Sequence, residues 1–251
     1  MTTADEYLYQ ILAREAVPNG ISSPVRSVQA TIMPTLLRWA GNYLLDVSPS
    51  GSFAKGTANR SGTDIDLFLS IHESVPNTLN EIYETLFRAC AAIQPKRQNV
   101  SINVKVGSYD IDLVPGKKQN AMSGDHSLYR RRADTWTKTN VATHIFHVHQ
   151  GGRQSETRVL KLWRNQKQLD FPSFYLELSV MAALAGRPSS LAANVMQVLT
   201  YLRDTFPSAR VVDPANTNNV ISDDLNAAQR AAIRSAAIAA LGASNWNEIV
   251  R

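Results

Sequence analysis

Residues 51 to 70 read GSFAKGTANRSGTDIDLFLS. The second half alternates as a strand does, with Ile65, Leu67 and Leu69 on one side and Asp64, Asp66 and Phe68 on the other. Two carboxylates on one strand face repel each other. Either the strand begins at a solvated edge, or the pair holds a cation. A hard divalent ion such as Mg²⁺ takes oxygen ligands, removes the repulsion and keeps positions open for a triphosphate. Upstream, Gly51-Ser52 precedes a short helix-forming stretch, and a glycine-serine turn there exposes backbone N–H groups suited to a phosphate.

The same pattern returns in YDIDLVPG, residues 109 to 116. Asp110 and Asp112 lie on one face of a second strand. Each pair alone is ambiguous with a charged strand edge. A glycine-serine turn, Asp-x-Asp and a later strand carboxylate together are more specific. A third carboxylate beside the first pair makes a two-metal site possible. One ion would lower the pKa of an attacking hydroxyl; the other would hold a triphosphate and stabilise departing pyrophosphate.

Around this centre the spacing predicts helices over about 4–16 and 24–45, the second interrupted by Pro34. A turn-rich segment follows, then the strand from Asp64 to Ile71. An amphipathic helix is expected over 77–93. VSINVKVGSYDIDLVPG reads as two strands turning at Gly107-Ser108. The polar stretch after it carries Arg130, Arg131 and Arg132, either an anion-binding surface or a solvated basic face. Beyond it the chain reads as helical: 140–149, 156–167, from Ser173 to a stop at Gly186, 191–206, and a last helix capped by Asp224 and ended by Gly242. The expected fold class is α+β: residues 1–138 as a core of mixed sheet with N-terminal helices, and 139–251 as a helical lobe, with the active site in the cleft between them.

The chain has 251 residues, 44% hydrophobic and 19% charged, with a net charge of +5 and a pI near 9.4. That suits a globular protein able to bury a core and is compatible with a polyanionic partner. The single cysteine, Cys90, excludes an intramolecular disulfide and a cysteine-based zinc site. His144, His147 and His149 lack cysteine partners and fit one helix. The N-terminus lacks a signal-peptide pattern, and no apolar run reaches the roughly 18 residues needed to span a bilayer. These features point to a cytoplasmic, monomeric protein without a membrane partner.

GSFAKGT…TDIDLF followed by DLVP resembles the polymerase-β-type nucleotidyltransferase superfamily. Within it the chain looks most like the CD-NTase-like enzymes, bacterial relatives of cyclic GMP-AMP synthase and oligoadenylate synthetase; archaeal-type CCA-adding enzymes share the core. VLKLWRNQKQLDFPSFYLEL, VVDPANTNNVISDDL and the final NWNEIV resemble later segments of the subgroup. The resemblance implies that Asp64, Asp66 and Asp112 ligate two Mg²⁺ (or Mn²⁺) ions. Asp112 would help deprotonate the acceptor hydroxyl, with Asp110 as its rival. It implies that Ser52, with the Gly51 backbone, holds the terminal phosphates, that Lys161 and Ser173 contact the donor triphosphate, and that Phe174 stacks on the base.

The residue types agree with those roles: lysine as a point charge for phosphate, serine at a helix start as an anion site, an aromatic for stacking. Lys161 as a surface lysine, Ser173 as a cap and Phe174 as core are the structural alternatives. The implied activity joins NTPs into a cyclic or linear oligonucleotide messenger, in anti-phage signalling. The alternatives are transfer to an RNA 3′ end or a toxin modifying tRNA or protein.

Overall fold

Near Gly41 the long N-terminal helix expected from the sequence stops. In the computed structural model, which describes all residues except Met1, Thr2, Asn19, Thr63, Arg187 and Pro188 and only the backbone of Ile21, the chain starts with α1 (Ala4–Arg14) and α2 (Pro24–Ala40). Helix α2 runs through Pro34 and ends at Gly41, whose φ of +51° breaks the helical backbone. Strand β1 (Leu44–Pro49) follows, where a helix end and a turn were expected. Then come α3 (Gly51–Lys55), β2 (Ile65–Ile71) and α4 (Leu79–Ala89). After β3 (Lys96–Arg97), β4 (Ile102–Val106) and β5 (Tyr109–Lys118) form the expected hairpin, with Gly107 at φ +60° in its turn. Strands β6 (His126–Arg130) and β7 (Thr135–Thr139) occupy the stretch read from the sequence as polar, for which no strand was expected.

The remainder is α5 (Val141–Gly151), α6 (Gln154–Gln166), α7 (Ser173–Ala183), α8 (Leu191–Asp204), the short hairpin β8 (Val212–Asp213) and β9 (Asn216–Val220), α9 (Ala227–Leu241) and α10 (Trp246–Ile249). Helix α9 is capped by Asn226 rather than Asp224. The Asn226 side chain accepts from the Gln229 N–H while the Gln229 side chain bonds back to the Asn226 N–H, which satisfies two orphan groups at once.

Two compact units arise from an interleaved chain. The sheet unit comprises residues 18–55 and 63–145; the helical unit comprises 1–17, 56–62 and 146–251. In the sheet unit the strand order is β1-β2-β5-β4-β3, with β6 paired to the far half of β5 and β7 to β6. Among the described residues β2 and β5 pair in parallel and the other neighbours pair antiparallel. Ile65, Leu67, Leu69 and Ile71 of β2 and Ile111 and Leu113 of β5 are buried with Val28, Ile32 and Leu36 of α2 and Ile82 and Leu86 of α4. Burying each such side chain is worth about 1.5–3 kcal/mol. That choice of face leaves Asp66 and Asp112 to the other side of the sheet.

Helix α1, which the sequence division placed with the core, packs in the helical unit. Leu8, Ile11 and Leu12 join its core with Val159, Leu176, Val195 and Ile233. The Tyr7 hydroxyl donates to the Val250 carbonyl at 3.0 Å and Arg158 to that of Leu12 at 2.9 Å. An amphipathic first helix buries its apolar stripe where a complementary one is offered, whatever the sequence distance.

Candidate active site

Parallel pairing of β2 with β5 sets Asp66 directly opposite Asp112. Paired residues of adjacent strands lie about 5 Å apart and point to the same face. Both carboxylates are half-buried. Asp64 stands exposed just ahead of β2, and Asp110 is exposed at the start of β5. Asp64 has its carboxyl pushed above the ordinary value, first by partial burial and then by the charge of Asp110. Burial also raises Asp112; hydrogen bonds from Asn103 and Gln98 oppose the rise, and the charges of Asp64 and Asp110 add to it. Asp64, Asp110 and Asp112 therefore share one negative field, and Asp66 stands across from Asp112 on β2.

Gly51 is part of this centre. It opens α3 at φ +56°, and a Cβ built there would lie 1.8 Å from Asp66 Oδ2. The Asp66 carboxylate packs against a backbone that only glycine can supply. The Ser50 N–H donates to the Asp66 carbonyl at 2.8 Å, so the turn is fastened to the strand it serves. Ser52, the next residue, is half-buried. Gly51, Ser52, Asp64, Asp66 and Asp112 thus all belong to the sheet unit.

Among the described residues, no three His, Cys, Asp or Glu side chains form a ready-made metal cage. The donor set nevertheless fits a hard divalent ion: all ligands are carboxylate oxygens, and their charges repel one another and destabilise the ionised form. Such an ion completes its shell with water and substrate oxygens rather than with protein alone.

Lys161, Ser173 and Phe174 lie in the helical unit. Lys161 is only 5% exposed. Its ammonium donates to Glu177 Oε1 at 2.7 Å and to Thr57 Oγ1 at 2.8 Å, and the Thr57 hydroxyl donates to the same Glu177 oxygen at 2.7 Å. This buried ion pair joins α6 to α7. The cation beside Ser173 is Arg164. Its Nη1 donates to Ser173 Oγ at 2.9 Å and to the Phe171 carbonyl at 2.8 Å. Ser173 is exposed and is the first residue of α7; the N-cap is Pro172, which offers no side-chain cap. Phe174 is half-buried and packs on the helical core.

Sequence reasoning missed Arg164, Glu177, Thr57, Asn103 and Gln98. Of these, Asn103 was within reach. A hairpin turning at Gly107-Ser108 pairs Val106 with Tyr109 and therefore Asn103 with Asp112.

Comparison with known proteins adds an independent view. No protein-family model matches the chain. The cyclic AMP-AMP-AMP synthase of Escherichia coli (strain MS 115-1) is 26% identical over 216 residues, covering 68% of this chain and 67% of that protein. The structure of E. coli MS115-1 CdnC with ATP superposes with a TM-score of 0.79 at 20% identity, covering 99% of this chain and 98% of the other. The Bradyrhizobium diazoefficiens CD-NTase CdnG in complex with GTP gives 0.75 at 13% identity, covering 94% and 90%.

Proposed function

We propose that this chain, which has the α+β fold of the CD-NTase-like nucleotidyltransferases, is a metal-dependent nucleotidyltransferase that joins NTPs into a cyclic or linear oligonucleotide messenger, of use in anti-phage signalling. The observation that carries the reading is the pairing of Asp66 with Asp112 across parallel strands, beside the Gly51-Ser52 turn. Similarity to a cyclic trinucleotide synthase supports the choice of product class.

Asp64, Asp66 and Asp112 are the residues that would hold two Mg²⁺ or Mn²⁺ ions. When bound, the ions lower the pKa of the acceptor hydroxyl and neutralise charge on the triphosphate and the departing pyrophosphate. Asp112 receives the proton of the attacking ribose hydroxyl. Ser52 and the Gly51 backbone bind the terminal phosphates. Ser173 and Phe174 serve the donor triphosphate and its base. Lys161 contacts the donor triphosphate as the resemblance implies and also links α6 to α7 through Glu177 and Thr57, and Arg164, beside Ser173, is a second cation for the same phosphates.

The test is incubation of the purified protein with all four NTPs and Mg²⁺ or Mn²⁺, with and without RNA, followed by mass spectrometry. A phosphatase-resistant oligonucleotide formed without RNA is the expected product. Label entering only RNA would replace the reading with terminal transfer.

A further inference from the structure

Asp112 carries two hydrogen bonds that the reaction does not itself require. Asn103 Nδ2 donates to its Oδ1 at 2.9 Å and Gln98 Nε2 to the same Oδ1 at 3.0 Å. Neither of these donors falls on Oδ2. Both bonds need an acceptor, so both amides are oriented unambiguously: an ionised carboxylate cannot donate, and the NH₂ groups must face it.

Gln98 is built into its place. Its N–H donates to the Ser101 carbonyl at 3.0 Å, and its side-chain Oε1 accepts from the Ser101 hydroxyl at 2.9 Å. Its own carbonyl accepts from Tyr83 Oη at 2.8 Å and from Arg131 Nε at 3.1 Å. Tyr83 belongs to α4 and is fully buried, and its hydroxyl also reaches the Ser101 carbonyl at 3.2 Å. Arg131 is held in turn, its N–H donating to the Asn99 carbonyl at 2.8 Å. Asn103 is fixed differently, by strand register, directly across from Asp112 on β4. One clamp arm is therefore rooted in a helix and a turn, the other in the sheet.

We propose that Gln98 and Asn103 are positioning residues that clamp Asp112 by Oδ1 and present Oδ2 to the divalent ion and the acceptor hydroxyl. The inference rests on the reading of the carboxylate face as a metal site. A carboxylate free to rotate must be ordered when metal and substrate arrive, whereas a clamped one is ordered beforehand. Groups that orient a metal ligand change affinity and turnover without touching substrate. The clamp also gives Arg131, one of the basic cluster, a defined place: it secures the Gln98 backbone.

The experiment uses the full chain with Gln98→Met, which keeps length and removes the donor, and Asn103→Ala. Mn²⁺ binding to nucleotide-free protein is followed by electron paramagnetic resonance, alongside steady-state kinetics and metal-free thermal melting. Each variant is expected to weaken Mn²⁺ binding by about tenfold or more and to lower kcat, with the NTP KM near wild type and the metal-free melting temperature little changed. Wild-type Mn²⁺ affinity and kcat in both variants overturn the clamp, as does a raised NTP KM with the other two unchanged. Should either variant fail to fold, Ser101→Ala, which deletes only the hydroxyl that orients the Gln98 amide, must weaken Mn²⁺ binding in the same direction; unchanged binding overturns the proposal. Wild-type protein that binds no Mn²⁺ overturns the metal-site reading and the clamp with it. Variants that match a Mn²⁺-binding wild type overturn the clamp alone.

Discussion

At Gly51 a single hydrogen in place of a side chain lets Asp66 approach the backbone, since a Cβ would fall 1.8 Å from its Oδ2 at a φ of +56°. Gly51→Ala is therefore expected to cost about 1–2 kcal/mol from the backbone conformation alone, and to displace the carboxylate; denaturant unfolding reads the first effect and loss of turnover the second. Asp112 makes a pH prediction. Burial raises its carboxyl above 3.8 in the folded chain. The folded state thus favours the neutral acid, and the stability this gives is complete below pH 3.8 and lost as pH rises through the folded value. Metal-free Asp112→Asn should consequently melt above wild type at pH 7, with the gap closing as pH falls toward 4. Added Mg²⁺ should raise the melting temperature of wild type more than that of the variant. A wild-type protein that melts higher than Asp112→Asn at pH 7 without metal would contradict the charge balance described. Asp64, Asp66 and Asp112 were legible as residues because repeated carboxylates on strands are costly without a reason. Gln98 was not, because nothing in its local sequence says that a turn folds it back onto β5.

Elements were legible where one period dominated. The β4–β5 hairpin and helices α6 to α8 follow from alternation, from helical spacing and from Gly107 and Gly186. Strand β1 was hidden because Leu44 and Leu45 continue the apolar run of α2, and only Gly41 marks the break. Strands β6 and β7 were hidden because arginine, lysine and threonine occupy them, and sheet pairing rather than hydrophobic pattern holds them. The link between α6 and α7 gives a prediction that separates structure from substrate binding. Lys161→Ala removes the ammonium bonded to Glu177, a carboxylate only 1% exposed. Removing one partner of a buried pair typically costs about 3–5 kcal/mol, so chemical denaturation should show a large loss of stability. Arg164→Ala should behave otherwise, raising the NTP KM with a much smaller stability loss. The reverse pattern would assign the phosphate contact to Lys161 rather than Arg164.

For the whole molecule, the two hydrophobic clusters were less legible than their parts. The chain enters the helical unit with α1, leaves it, returns for residues 56–62 and comes back after residue 145. No composition shift in the sequence marks those crossings, whereas a division at one point is the simplest reading of a strand-rich half and a helix-rich half. The net charge of +5 suits a protein that handles triphosphates, and no helix among the described residues is long and apolar enough to cross a membrane. In the proposed function the carboxylate face of the sheet performs nucleotidyl transfer. Its most direct test is pyrophosphate release from mixed NTPs and Mg²⁺ by wild type and by folded Asp66→Ala and Asp112→Ala proteins. Wild type is predicted to release pyrophosphate in step with phosphodiester formation, and each variant to fall by at least about 10²–10³-fold, the scale on which removing one stabilising group at a reacting centre is felt. Equal release by wild type and variants would contradict the account.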